Sequence, residues 1–175
     1  MKEFNLHTND ICDWTEFVSA GDMVNLSGIV YTARDAAHKR IKAAIESGDQ
    51  LPFELKNAII YYAGPTPTPD NLPIGSCGPT TSSRMDIYAP LLMENGLKGM
   101  IGKGERNKTV CDAIIKHKGI YFCAVGGAGA LAAKCIKSSL IIAYDDLGCE
   151  SIKRVEFENF PLIVAIDCHG GNLFI

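Results

Sequence analysis

The amino-acid sequence predicts one α/β domain spanning residues 1–175, built in layers from a parallel or mixed sheet covered by helices. Three observations predict it. Runs that read as strands alternate with runs that read as helices. Four strand-to-helix transitions carry polar or glycine-rich turns: Arg34-Asp35-Ala-Ala-His38, Gly78 to Asp86, Gly102-Lys103-Gly104-Glu105-Arg106 and Gly126-Gly127-Ala128-Gly129. The 175 residues are 47% hydrophobic and 21% charged, a globular balance with enough length to bury one core and no internal linker.

Each element has its own signal. Residues 22–32 are rich in Val, Ile, Tyr and Thr and read as a strand. Asp35 is a good N-cap for a helix running to Ser47, with Gly48 as its stop and Ala37, Ile41, Ala44 and Ile45 on one face. Residues 58–63 read as a buried strand, and the Pro-Thr-Pro-Thr-Pro stretch at 65–69 forces an extended loop. A helix is expected over 81–95, ended by Gly96, then a short strand over 97–101 and a helix over 107–118. Residues 120–125 read as a buried strand and 128–136 as a helix. Residues 139–144 and 162–167 read as further strands, and 152–157 alternates like a half-exposed one. The first half reads as the richer in β structure.

Composition limits the partners. A net charge of −3 without a long basic run argues against nucleic acid or an anionic membrane. The opening Met-Lys-Glu-Phe-Asn-Leu-His is too polar for a signal peptide. No apolar run approaches the ~20 residues of a membrane span. A cytoplasmic protein is expected. The 7 cysteines are widely spaced with no Cys-x-x-Cys pair, so no metal site within this chain is expected and the thiols read as buried and inert. Cys77 is set apart as a candidate nucleophile because it directly precedes the Gly78-Pro79-Thr80-Thr81 turn.

That turn points to an anion. Backbone N–H groups at a helix start, four consecutive hydroxyl side chains and the Arg84 guanidinium can converge on a carboxylate or phosphate. Ligands of open α/β sheets collect at the carboxyl ends of strands, so the four turns would line one rim. Two roles fit Arg34: a clamp on a carboxylate, or a surface arginine paired with Asp35 or another nearby acid. His38, one turn into the helix, is an acid–base candidate or a structural histidine. Lys103 between two glycines is a ligand contact or part of a flexible loop; the spacing is not that of a Walker loop. Two arginines from separate turns suit a small dicarboxylate, one at each end. The run 126–129 lacks the Gly-x-Gly-x-x-Gly spacing, which favours tight strand–helix packing over dinucleotide binding. Asp167-Cys168-His169-Gly170 reads as a polar turn ending a strand.

Taken in order, Arg34-Asp35-x-x-His38, Gly78-Pro-Thr-Thr-Ser-Ser-Arg84-Met-Asp86, Gly102-Lys103-Gly104 and Asp167-x-His169-Gly170 resemble a known family. It is the β subunit, or C-terminal domain, of the iron–sulfur hydro-lyases class I fumarate hydratase and L-tartrate dehydratase. The resemblance covers nearly the whole chain, and the Gly-Pro-Thr-Thr block is its most specific part. It implies a swivelling three-layer β/β/α fold and reversible hydration of fumarate to malate, or alternatively dehydration of tartrate to oxaloacetate. A stand-alone, non-catalytic dicarboxylate-binding module is the reading from another class.

The resemblance further implies a 4Fe-4S cluster held by a cluster-bearing α subunit and not by this chain, in an α2β2 assembly. Arg34 and Arg84 would clamp the substrate carboxylates, and Thr80 and Thr81 would bind the substrate from the same turn. Thr80 would sit near the carbon that loses its proton, Lys103 would neutralise charge, and His38 would take an active-site role. Asp35, Asp86, Gly78, Gly102 and Gly104 would support these groups. Ser82 and Ser83 stand where the family has Ala-Gly, and they mark where substrate choice would change.

Overall fold

A computed structural model describes residues 1–124 and 129–175. Its strands are β1 (Glu3–His7), β2 (Met23–Thr32), β3 (Ile59–Tyr61), β4 (Gly99–Gly102), β5 (Ile120–Ala124), β6 (Ile136–Ala143) and β7 (Ile152–Ile166). The α-helices are α1 (Ile11–Trp14), α2 (Asp35–Ser47), α3 (Ala89–Glu94), α4 (Lys108–Lys116) and α5 (Gly129–Cys135). Neighbouring strands from β1 through β5 pair in parallel. β7 pairs antiparallel with β5 on one side and β2 on the other, so β2, β3, β4, β5 and β7 close into a ring. β6 adds to β7 as an edge.

Strand alternation sorts the side chains into two cores. Ile59 and Tyr61 of β3 face Leu26 and Val30 of β2 and the β7 residues Phe157, Phe160 and Leu162. The Phe157 and Phe160 rings stack there at 4.4 Å. The intervening Ile60, with Met100 and Tyr121, faces the other way, onto Ala37 and Ile41 of α2, Leu92 of α3 and Val110 and Ile114 of α4. The order is therefore strand layer, strand layer, helix layer, and β3 to β5 contribute to both cores.

Several elements differ from expectation for identifiable reasons. The helix expected over 81–95 is a 3-10 turn (Ser82–Met85) followed by α3, which starts at Ala89. Pro90 has no N–H to donate and fits only the first helical turn. Asp35 is the first residue of α2 rather than its cap; the extended Arg34 precedes it, and the Asp35 carboxylate pairs with Arg84. The strands expected at 152–157 and 162–167 are one strand. Asn159 takes φ +52° and donates its N–H to Ser27 Oγ at 2.9 Å, so the Asn159–Pro161 stretch bends the strand without ending it. The second half, not the first, carries β6 and the fifteen-residue β7 and so holds more of the strand structure. Of the glycine-rich run, Gly126, Gly127 and Ala128 lie outside the described residues. Gly129 packs against the Gly78 turn, with its C=O accepting from Cys77 N–H at 3.0 Å. Among the described residues no helix is long and apolar enough to cross a membrane.

Candidate active site

The carboxyl ends of β2, β3 and β4 deliver Arg34, Gly64 and Lys103 to one edge, and the 78–86 segment is fastened across them. Ala63 and Pro79 form an antiparallel bridge, and Thr80 N–H donates to Tyr62 C=O at 2.7 Å. Thr81 bridges Lys103, and Ser82 N–H donates to Lys103 C=O at 2.9 Å. Three of the four turns singled out in the sequence thus meet. Of the fourth, Gly129 packs against Gly78, while Gly126, Gly127 and Ala128 lie outside the described residues.

Arg84 reaches back to the start of α2. Its Nε and Nη2 donate to the two Asp35 oxygens at 3.0 and 2.6 Å. This side-on pairing leaves the Nη1 side turned toward Thr80, whose Oγ1 lies 3.4 Å away. Arg34 lies across Gly64, where an added Cβ would stand 2.9 Å from its Cδ and 3.0 Å from its Nη1. Only glycine permits that approach. Arg34 Nε lies 3.8 Å from Glu150 Oε1, and neither of these buried atoms has a hydrogen-bond partner among the described residues. Arg34 is therefore paired with Glu150 rather than Asp35, and only loosely. Thr80 is half-buried, and Thr81 and Lys103 are exposed. Gly78 is partly buried against Gly129, Gly102 is buried, and Gly104 is exposed with φ +81°.

His38 is enclosed by the protein beside the Arg34 turn. Its ring is fully buried, edge-on to Tyr62 at 5.3 Å, with Nδ1 2.8 Å from the Arg34 carbonyl. The other ring nitrogen has no partner among the described residues. Burial pushes its pKa down from 6.5 to about 4, partly opposed by the bond to Arg34. The neutral ring, donating from Nδ1, thus fixes the backbone of Arg34 from below. The unfolded chain protonates this histidine near 6.5 and the folded chain only near 4. Its contribution is whole above pH 6.5 and is lost as pH falls toward 4, about 3 kcal/mol in all. Denaturation midpoints should therefore drop across that window, and His38→Gln should flatten the slope. An unchanged slope would contradict the assignment.

Asp86 and Arg106 form a buried pair beneath the edge. Arg106 Nε donates to Asp86 Oδ1 at 2.6 Å, and Asn107 N–H donates to Oδ2 at 2.8 Å, at the start of α4. The guanidinium also lies over the rings of Tyr62 and Tyr121, at 5.3 and 4.9 Å. Arg106 was visible in the sequence only as the end of the Gly-Lys-Gly-Glu-Arg turn; its buried role has no local signal. Ser82 is fully buried, with its hydroxyl bonded inward to the Lys103 loop. It does not face the open edge, so any effect of Ser82 on substrate choice would pass through the Lys103 loop. Ser83 is exposed.

Cys77 is not presented to the edge as a nucleophile would be. It is fully buried, and burial pushes its thiol up to about 12, partly opposed by Lys153. Alkylation of the native chain at neutral pH should label the exposed Cys12 and Cys149 and spare Cys77. Labelling of Cys77 at a comparable rate would contradict this. Asp167 closes the polar turn expected near the end of the chain, accepting from the N–H groups of Ala20, His169 and Gly171 at 2.8 to 2.9 Å. Among the described residues, no three His, Cys, Asp or Glu side chains are grouped to hold a metal ion.

The family described as Fumarase C-terminus matches residues 1–175. The chain is 42% identical over 153 residues to "Fumarate hydratase class I, anaerobic" of Escherichia coli (strain K12), covering 86% of this chain and 28% of that protein. It is 40% identical over 156 residues to "Fumarate hydratase 2" of Leishmania major, covering 88% of this chain and 28% of that one. It is 37% identical over 163 residues to "Putative L(+)-tartrate dehydratase subunit beta" of Methanocaldococcus jannaschii, covering 90% of this chain and 84% of that one. The chain thus spans little more than a quarter of the length of the fumarate hydratases it matches.

Proposed function

Because the chain belongs to the Fumarase C-terminus family, we propose that it is the β-type half of a hydro-lyase that reversibly hydrates fumarate to malate. One observation carries the reading: two arginines from separate turns, Arg34 and Arg84, stand on one edge with Thr80 and Lys103. A dicarboxylate needs a cation at each end and a polar group near the reacting carbons. Arg84 offers its Nη1 side to one carboxylate, because Asp35 already holds the other side. Arg34, only loosely paired with Glu150, takes the second carboxylate. Lys103 adds a further positive charge where negative charge develops. The Thr80 hydroxyl, beside Arg84 Nη1, holds or passes the proton exchanged at carbon. Thr81 contributes from the same turn. His38 acts through the Arg34 backbone and is a positioning residue on this reading.

The side chains described here do not fit a 4Fe-4S cluster, since no three suitable ligands are grouped. On this reading a partner α subunit holds the cluster, which would supply a Lewis-acid iron for the substrate hydroxyl. The assembly would be α2β2, cytoplasmic, and the layered fold would be of the swivelling type. L-tartrate is the alternative substrate, supported by the 37% identity to the putative L(+)-tartrate dehydratase subunit beta.

The test is an anaerobic pull-down from the source cells with a tagged chain, followed by assays with fumarate and tartrate. A brown, cluster-bearing partner and turnover of one diacid are expected. Diacid binding with no partner and no turnover would instead indicate a non-catalytic binding module.

A further inference from the structure

We propose that Tyr121 and Ser82 are positioning residues that fix the backbone of Lys103, so that its ammonium is presented to the diacid from one place. The inference rests on the reading above, in which Lys103 contacts the substrate.

Lys103 itself is exposed, with an unbranched side chain that has no ion pair among the described residues. Nothing in the side chain holds it in place, so its position depends on its backbone. That backbone is held on both sides. Lys103 N–H donates to Ser82 Oγ at 3.1 Å, and Lys103 C=O accepts from Ser82 N–H at 2.9 Å. The next carbonyl, of Gly104, accepts from the Tyr121 hydroxyl at 2.7 Å. The two hydroxyls are hydrogen-bonded to each other at 2.9 Å, which ties the three contacts into one buried network.

The surroundings are shaped for this network. Gly102 has no Cβ, and one added there would stand 2.0 Å from Ser82 Oγ. Both Tyr121 and Ser82 are fully buried, so water does not replace the bonds when they are lost. Burial also pushes the Tyr121 phenol up, so it remains a donor across the neutral range. The Tyr121 ring packs against the Arg106 guanidinium, which in turn holds Asp86 at the end of the Arg84 turn. The network thus joins the Lys103 loop to the segment that carries Thr80 and Arg84. Neither hydroxyl touches the open edge, and the proposed chemistry makes no other use of them.

A double-mutant cycle in the reconstituted complex, read as KM and kcat for the diacid, tests this. Tyr121→Phe removes one oxygen and keeps the ring. It should raise KM about tenfold, the scale of one buried hydrogen bond, with a smaller change in kcat. Lys103→Ala should raise KM at least as much. The double variant should match Lys103→Ala, because a positioning residue has no effect once the group it positions is gone. Ser82→Ala should follow the same pattern, and it carries the cycle if Tyr121→Phe does not fold. Hydrogen exchange supplies a readout without turnover: the Lys103 amide should exchange faster in Ser82→Ala than in the wild type.

Additive effects of Tyr121→Phe and Lys103→Ala would overturn the positioning role alone. So would a wild-type KM in a folded Tyr121→Phe complex whose Lys103→Ala variant is impaired. A wild-type KM in Lys103→Ala would overturn both this inference and the reading of Lys103 on which it rests.

Discussion

Arg84→Ala in the reconstituted complex should lower kcat/KM for the diacid by about 10²- to 10³-fold, on the basis of charge-assisted hydrogen bonds worth ~1.5–3 kcal/mol each. Two effects combine. The substrate loses the guanidinium side facing Thr80, and Asp35 loses both of its hydrogen bonds. The freed Asp35 carboxylate then adds negative charge where an anion must bind. Arg84→Lys should keep the charge but lose the planar fork, giving an intermediate rate. Arg40→Ala is the control. Arg40 lies on α2 and pairs with exposed Asp146, so its loss should leave the rate within about twofold, in line with the small worth of surface ion pairs. Turnover by Arg84→Ala as fast as that of Arg40→Ala would remove the clamp from the account.

Asp86→Ala should have the largest effect on stability, a loss of about 3–5 kcal/mol, the usual result of removing one partner of a buried ion pair. The Arg106 side chain is 0% exposed, and without Asp86 its charge has only the faces of Tyr62 and Tyr121 and weak contacts. Asn107 N–H loses its acceptor at the same time. Urea denaturation should show the midpoint falling sharply. The double variant Asp86→Ala/Arg106→Met should recover part of the loss, because it removes the orphaned charge. A single-variant loss below about 1 kcal/mol, typical of a surface pair, would contradict a structural role for the pair.

The sequence made the ends of the strands legible because glycines and polar residues interrupt apolar runs there. That is why the rim carrying Arg34, Thr80, Arg84 and Lys103 could be anticipated. What it did not reveal was pairing between distant segments. Arg84 meets Asp35, Arg34 meets Glu150, and Asp86 meets Arg106, each across a loop or layer that no local pattern encodes. β1 offers only two apolar residues, Phe4 and Leu6, in a five-residue run, a signal too short to stand out in the sequence. The two strands expected at 152–157 and 162–167 are one β7, because a hydrogen bond from Asn159 to Ser27 on β2 keeps the intervening residues in the sheet. Ser82 drew attention as a departure from the family pattern in an anion-binding turn. Only the fold shows that its hydroxyl points inward, to the loop that bears Lys103.

The central claim is that this chain holds the diacid-binding half of a shared site. The direct measurement is the anaerobic hydration rate of fumarate, with tartrate in parallel, for the chain alone, the cluster-bearing partner alone and the two mixed. The account predicts turnover only in the mixture, and its loss when the mixed chain carries Arg84→Ala. Turnover by the chain alone, or by the partner alone at the rate of the mixture, would contradict it.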